Sequence, residues 1–243
     1  MKLTVENLIS IFILANVKDF SLKKRHPWDL TPQAAIALQK QLTRRVIRKA
    51  DIQLQDLDTI AGVDTAYRQN SACAAVVVFS FADLITLEEV VAVQPPRFPY
   101  MPGLLSFREG PVILEALSRL KAAPDVLMFD SQGIAHPRRF GLASHIGLLT
   151  DTPAVGCAKT RLIGEFLEPQ RARGSTAYLT DEDETIGAVV RTRSGVKPVF
   201  VSIGHRMDLD TCIRIVLASC RGYRLPEPLR KADHLSRIKL ASV

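Results

Sequence analysis

Three apolar runs joined by very short links constrain this chain most. Residues 59–66 (TIAGVDTA), 72–81 (ACAAVVVFSF) and 87–93 (LEEVVAV) are rich in β-branched and small apolar side chains. Only residues 67–71 and 82–86 separate them. Links of that length join antiparallel neighbours, because a parallel pair needs a crossover of about a dozen residues or more. The first half therefore predicts an antiparallel meander. Further on, the pattern changes. A helix is predicted from about 106 to 121, a strand over 125–130 (DVLMFD), a helix in the later part of 137–149, and a strand over 152–157 (TPAVGC). Residues 168–184 read as a polar, irregular surface excursion. Strands follow at 186–191 and 199–202, and Asp208 caps a helix running to about residue 221. A meander followed by alternating helix and strand predicts an α/β fold, one mixed sheet with helices on both faces.

The 243 residues suit one domain with a short appendage. An apolar share of 47% with 23% charged residues excludes a disordered or collagen-like chain. Residues 1–28 read as an N-terminal extension and 29–243 as a single domain. Within the extension, residues 7–17 (NLISIFILANV) are too few to span a bilayer, which takes about 20 apolar residues. No small-residue cleavage site follows them, so they are expected to be a poorly ordered leader. At the start of the domain, Thr31 caps a helix with Pro32 in its first turn, and Ala35, Leu38, Leu42 and Ile47 recur near helical spacing. Cys73, Cys157, Cys212 and Cys220 show no C-x-x-C spacing, which suits a reducing cytoplasm and gives no zinc or disulfide framework. No membrane partner is expected, and a monomer is.

The net charge of +7 is distributed unevenly. Residues 21–50 hold eight basic side chains against the single acid Asp29, and residues 221–243 hold six against two. The centre, 51–220, carries an excess of four acids. The basic face of the first helix fits a solvated surface and a nucleic-acid contact equally well.

No P-loop, G-x-G-x-x-G, G-x-S-x-G or H-E-x-x-H is present, which weakens nucleotide-cofactor, serine-hydrolase and zinc-protease readings. The unusual feature is where the acids fall. Asp64 lies late in an apolar strand, Asp130 ends another, and Glu109 opens a helix. A buried carboxylate is costly unless it is paired or binds a metal. Each alone is more simply a satisfied structural acid or a cap. Together, Asp64 and Asp130 stand evenly between that reading and an oxygen-ligand site for Mg²⁺ or Mn²⁺. Cations lie close by in sequence: His136, Arg138 and Arg139 just after Asp130, and Lys159 after the next strand. Such cations are what a phosphate-handling site needs.

Six stretches then resemble the endonuclease V family, the deoxyinosine-directed repair nucleases. They are IAGVDTAY (60–67), PYMPGLLSFREGP (99–111), DSQGIAHPRRFGLASHIGLL (130–149), GCAKTRL (156–162), GHRMDLD (204–210) and GYRLPEPLRKAD (222–233). They occur in the family's order and cover the chain from about residue 31 to 234. The resemblance implies a ribonuclease H-like fold. It implies metal ligands at Asp64, Glu109, Asp130 and Asp233, the last beside His234, and an active-site lysine at Lys159. It implies a wedge at Pro99, Tyr100, Met101 and Pro102 that is inserted at the damaged base, with Gly103, Gly133, His136 and Leu162 on the lesion side. Its implied reaction is Mg²⁺-dependent hydrolysis, with Mn²⁺ as a possible substitute, of the second phosphodiester 3′ to deoxyinosine in DNA. Inosine-containing RNA is the alternative substrate, and a non-catalytic nucleic-acid-binding module is a more distant one. Ser131 departs from the family, which usually has Gly after the strand-end Asp, and His205 is expected to support the sheet end.

Overall fold

The computed structural model describes residues 26–242. Most of the expected leader therefore lies outside the described residues. Eight strands form one sheet in the order β3-β2-β1-β4-β5-β8-β7-β6. The meander is β1 (Thr59–Arg68), β2 (Ser71–Ser80) and β3 (Thr86–Gln94), all antiparallel. β4 (Val126–Phe129) and β5 (Ala154–Ala158) then extend the sheet parallel to β1. β8 (Val199–His205), β7 (Glu184–Val190) and β6 (Thr176–Asp181) complete it, antiparallel again.

Side chains alternate across a strand, and that alternation sorts the core into two layers. Ile60, Val126, Met128, Val155 and Cys157 pack on one face beneath α4 (Leu209–Ala218) and α5 (Glu227–Ala241). Ala61, Val63, Leu127 and Phe129 pack on the other beneath α2 (Leu105–Leu117) and α3 (Leu142–Thr150). α1 (Pro32–Leu42) is capped by Thr31, whose Oγ1 accepts from the Ala34 amide. Helices thus cover both faces, as the sequence pattern predicts. Among the described residues no helix is long and apolar enough to cross a membrane.

Two regions differ from expectation. The excursion at 168–184 contains an edge strand, β6, paired with β7 and bridged on its outer side by Glu165 at Thr180. Only Leu179 of its six residues is buried, so its apolar signal is weak. The acids of the following turn meet cations from elsewhere: Arg139 pairs with Asp181 at 2.8 Å and with Glu184 at 2.5 Å. The second difference is the basic tail, which is the long helix α5. Its buried residues Leu229, Ala232, Ser236 and Leu240 recur at three- and four-residue steps. At the other terminus, His26 and Trp28 pack onto the domain. His26 Nε2 lies 2.7 Å from His145 Nε2, and Trp28 covers Gly110, where any Cβ would stand 2.4 Å from its ring.

Candidate active site

Three parallel strands bring their C-terminal ends to one edge, and the candidate site is there. Val63 of β1 is opposite Phe129 of β4, so Asp64 and Asp130 come next to each other. Lys159 directly follows β5. Even-numbered positions 60, 126 and 128 face α5, and so do 64 and 130; position 159 shares a face with 155 and 157. α5 supplies the fourth group, Asp233. The helix can approach this closely because Gly62 lacks a side chain: a Cβ there would fall 2.1 Å from the Pro228 carbonyl oxygen.

Lys159 Nζ pairs with Asp130 Oδ2 and stands 3.7 Å from Asp233 Oδ1. Ser236 Oγ donates to Asp64 Oδ2 at 3.0 Å, and Arg237 pairs with Asp233 at 2.9 Å. Glu109 reaches the same region from α2 on the opposite face. It is almost fully buried and accepts a 3.3 Å hydrogen bond from the Tyr67 hydroxyl.

The acids are held against their own charge. Burial and the neighbouring Asp130 push Asp64 up to about 6. Burial, with Asp64 next in weight, pushes Glu109 up to about 8. Burial also raises Asp130, although Lys159 opposes it. Burial works against the Lys159 cation, but the bond to Asp130 and the charges of Asp130, Asp233 and Asp64 together outweigh it and hold the amine above its ordinary value. Among the described residues, no three acid or imidazole side chains already stand as a metal cage. The donor set nevertheless suits a hard divalent cation: all the donors are carboxylate oxygens, they repel one another, and Lys159 and Arg237 offset only part of their charge. Of the four acids, Asp64, Asp130 and Asp233 share one side of the sheet end with Lys159, while Glu109 stands apart on Tyr67. His234 is exposed and lines a second cavity, together with Lys159 and Asp233.

Beside Asp130 and Lys159 opens a cavity of about 350 Å³. Tyr100, Met101, Pro102, Gly103, His136 and Leu162 line it, as do Ser131 and Gln132. Pro99 and Gly133 are not on its wall. Gly133 is needed elsewhere: its missing Cβ would fall 1.9 Å from the Ile203 carbonyl oxygen of β8. Tyr100 is 71% exposed at the mouth. Ser131 is buried, and its Oγ has no hydrogen-bond partner among the described residues.

The cavity's back wall is an extensive polar clamp on one atom, the Gly103 carbonyl oxygen. It accepts from His136 Nε2 at 2.9 Å, Arg138 Nη2 at 2.6 Å and Gln39 Nε2 at 3.1 Å. Gln39 of α1 also donates to the Phe140 carbonyl and accepts from Arg138 Nε at 2.6 Å. The Arg138 amide donates to His136 Nδ1, which leaves the Nε2 proton for Gly103. Burial and the adjacent Arg138 cation lower His136 to about 4, so its ring is neutral near pH 7. Gly103 itself sits at φ +77°, a conformation that favours glycine. Gln39 was not among the residues that sequence reasoning singled out, since nothing in sequence links position 39 to position 103. His205 is buried at the opposite sheet edge, where Nδ1 accepts from the Ile47 amide at 3.3 Å. It braces the fold far from the acids.

Residues 40–234 match the family profile Endonuclease V. An endonuclease V from Methanothrix thermoacetophila is 51% identical over 212 residues, 87% of this chain and 93% of that one. A crystal structure of the Streptomyces avermitilis endonuclease V superposes with a TM-score of 0.84 at 42% identity, covering 91% of this chain and 98% of that one. The Ciona intestinalis enzyme superposes with a TM-score of 0.77 at 26% identity, covering 88% and 99%; its structure holds DNA containing an inosine followed by a ribo-adenosine. The mixed sheet is accordingly the ribonuclease H-like one that the motifs imply. With the family profile matched over residues 40–234 and relatives of this identity over most of its length, this chain belongs to the endonuclease V family.

Proposed function

We propose that this endonuclease recognises deoxyinosine in DNA and hydrolyses the second phosphodiester 3′ to it, leaving 3′-hydroxyl and 5′-phosphate ends. One observation carries the reading. Asp130 and Lys159, which adjoin Asp64 and Asp233, also line a base-sized cavity whose mouth carries Tyr100.

Asp64, Asp130, Glu109 and Asp233 would hold Mg²⁺, with Mn²⁺ as a substitute. When bound, the ion supplies Lewis-acid activation of water and stabilises the leaving 3′ oxygen. The chain's own groups do the rest. Lys159 presents its ammonium to the attacked phosphate. Tyr100, stiffened by Pro99 and Pro102, fills the space left in the duplex by the extruded nucleotide. The clamped Gly103 carbonyl fixes the loop that carries Tyr100, so the pocket's shape is set before substrate arrives. Neutral His136 adds no charge to that wall, which suits an uncharged purine.

The test is a labelled duplex with one deoxyinosine, incubated with Mg²⁺ or with EDTA. The expected result is a single Mg²⁺-dependent nick one nucleotide beyond the lesion's own 3′ phosphate, absent with adenine in its place. Equal cutting of both duplexes, or none of either, would overturn the reading. A parallel inosine-containing RNA strand measures the alternative substrate, because the 2′-hydroxyl is discriminated by local contacts alone.

A further inference from the structure

Lys159 lines two cavities. One is the base-sized pocket. The other, of about 730 Å³, lies toward α5 and the turn before it. Its wall includes Tyr223, Arg230, Lys231, His234 and Arg237. Two acids also line it, and both are engaged: Glu227 with Arg230 at 2.6 Å, Asp233 with Arg237 at 2.9 Å and near Lys159. The balance facing solvent is positive.

Tyr223 and Arg230 form a preassembled flat surface. The Arg230 guanidinium carbon lies 3.5 Å from the Tyr223 ring centroid, while Glu227 fixes the same guanidinium from the side. Tyr223 is 50% exposed. A buried brace would hide both faces of such a pair, and this one keeps an open flank on a cavity. Aromatic rings and guanidinium planes stack nucleobases without regard to sequence. The Gly222-to-Asp233 motif assigns only Asp233 to the chemistry, which leaves Tyr223, Arg230 and Lys231 without a role.

We infer that this second cavity is a subsite for the strand on the 3′ side of the cut, with a base stacked on Tyr223–Arg230 and phosphates held by Lys231 and Arg237. The inference rests on the hydrolase reading above for the strand's direction. A base in the first cavity and a cut at Lys159 leave the downstream nucleotides beside the second cavity.

Two measurements test it. The first is binding of a 5′-phosphorylated, fluorescently labelled hexanucleotide without any lesion, followed by anisotropy. Tyr223→Ala should weaken it about tenfold, as should Arg230→Met. Tyr223→Phe, which keeps the ring, should bind like the unaltered protein. Thermal melting confirms that each variant is folded. The second compares two deoxyinosine strands identical up to the cut, one ending a single nucleotide beyond it and the other six. The unaltered protein should favour the longer by about tenfold in kcat/KM, and Tyr223→Ala should erase that preference. Equal hexanucleotide affinity for Tyr223→Ala and the unaltered protein would overturn the subsite, and so would a length preference that survives the substitution. Failure of the unaltered protein to cut either strand would count against the hydrolase reading instead, and the hexanucleotide measurement would still decide the subsite.

Discussion

The two halves of the site are built on opposite electrostatic principles. Around Gly103 the polar groups are satisfied: one carbonyl oxygen gathers donors from Gln39, His136 and Arg138, and both His136 nitrogens are used. Around Asp64 they are not. Carboxylates are crowded and buried until Asp64 and Glu109 rise to about 6 and about 8, while Lys159 is paired with Asp130. A satisfied network holds a shape, whereas a crowded set of acids stores a demand for positive charge. On the proposed function, recognition is preformed, and the chemical half would be completed by what binds it.

The sharpest way to break this contrast is to remove an acid. Asp64→Asn or Asp130→Asn should lower nicking by roughly 10³-fold or more, with fold and lesion affinity retained. Steady-state nicking with Mg²⁺, paired with anisotropy on inosine-containing DNA, reads both quantities. Wild-type-like nicking would sink the metal-site assignment. A smaller effect is expected in the recognition half. Gln39→Met keeps the volume but deletes two donors and an acceptor, so Arg138 and Gly103 lose a buried partner. Discrimination between inosine and adenine duplexes should fall about tenfold, the order of one to two hydrogen bonds, with little change in kcat. A fall in kcat alone would show that the clamp does not position the pocket.

The two halves were unequally legible in the sequence. Asp64 and Asp130 stood out because carboxylates in apolar strands violate a strong rule, and period-2 alternation put both on one face. The central strands were legible for the same reason, being almost wholly apolar. Asp233 needed the family, since Pro226 and Pro228 with many charges hid α5. The steps from Leu229 to Ala232, Ser236 and Leu240 were nevertheless there to be read. β6 gave too little apolar signal as an edge strand. The Gly103 clamp was illegible, because hydrogen bonds between residues 39, 103 and 138 leave no periodic trace. Chemistry under strain announces itself in sequence, and satisfied polar networks do not.

The same contrast predicts how stability responds to substitution in the metal-free protein. Glu109 ionises near 4.5 when unfolded and at about 8 when folded. Between those values the folded state binds more protons, so stability falls as pH rises through the window. Glu109→Gln should abolish that loss and raise the melting temperature in EDTA at pH 8 by several degrees, at about 2–4 °C per kcal/mol for a chain of this size. Added Mg²⁺ should stabilise the parent protein more than the variant. Differential scanning calorimetry at pH 6 and 8, with and without EDTA, checks both statements, and an unchanged or lower melting temperature for Glu109→Gln at pH 8 would contradict them.

The smallest effect, and the one that isolates the recognition half, is on the acid side. His136 is lowered to about 4 by burial and by Arg138, whereas an unfolded histidine titrates near 6.5. Between those values the unfolded state binds more protons, so this contribution grows as pH rises and is lost as pH falls toward 4. Its sign is opposite to that of Glu109. Buried His145 and His205 are lowered as well and add to the same limb, so His136→Gln should flatten it only in part. Because His136 stays neutral down to about pH 5, metal-free lesion binding by the parent protein and by His136→Gln should change in parallel from pH 5.5 to 8, both following only the ionisation of Asp64 and Glu109. Divalent-cation affinity should fall more steeply as pH is lowered through that range, because protons return to Glu109 and then Asp64. Anisotropy on inosine DNA in EDTA and calorimetric Mg²⁺ titration, run at the same four or five pH values, separate the two curves. A step near pH 6 that the parent protein shows and His136→Gln lacks would show that His136 is charged in the complex and that the clamp around Gly103 is looser than its geometry states.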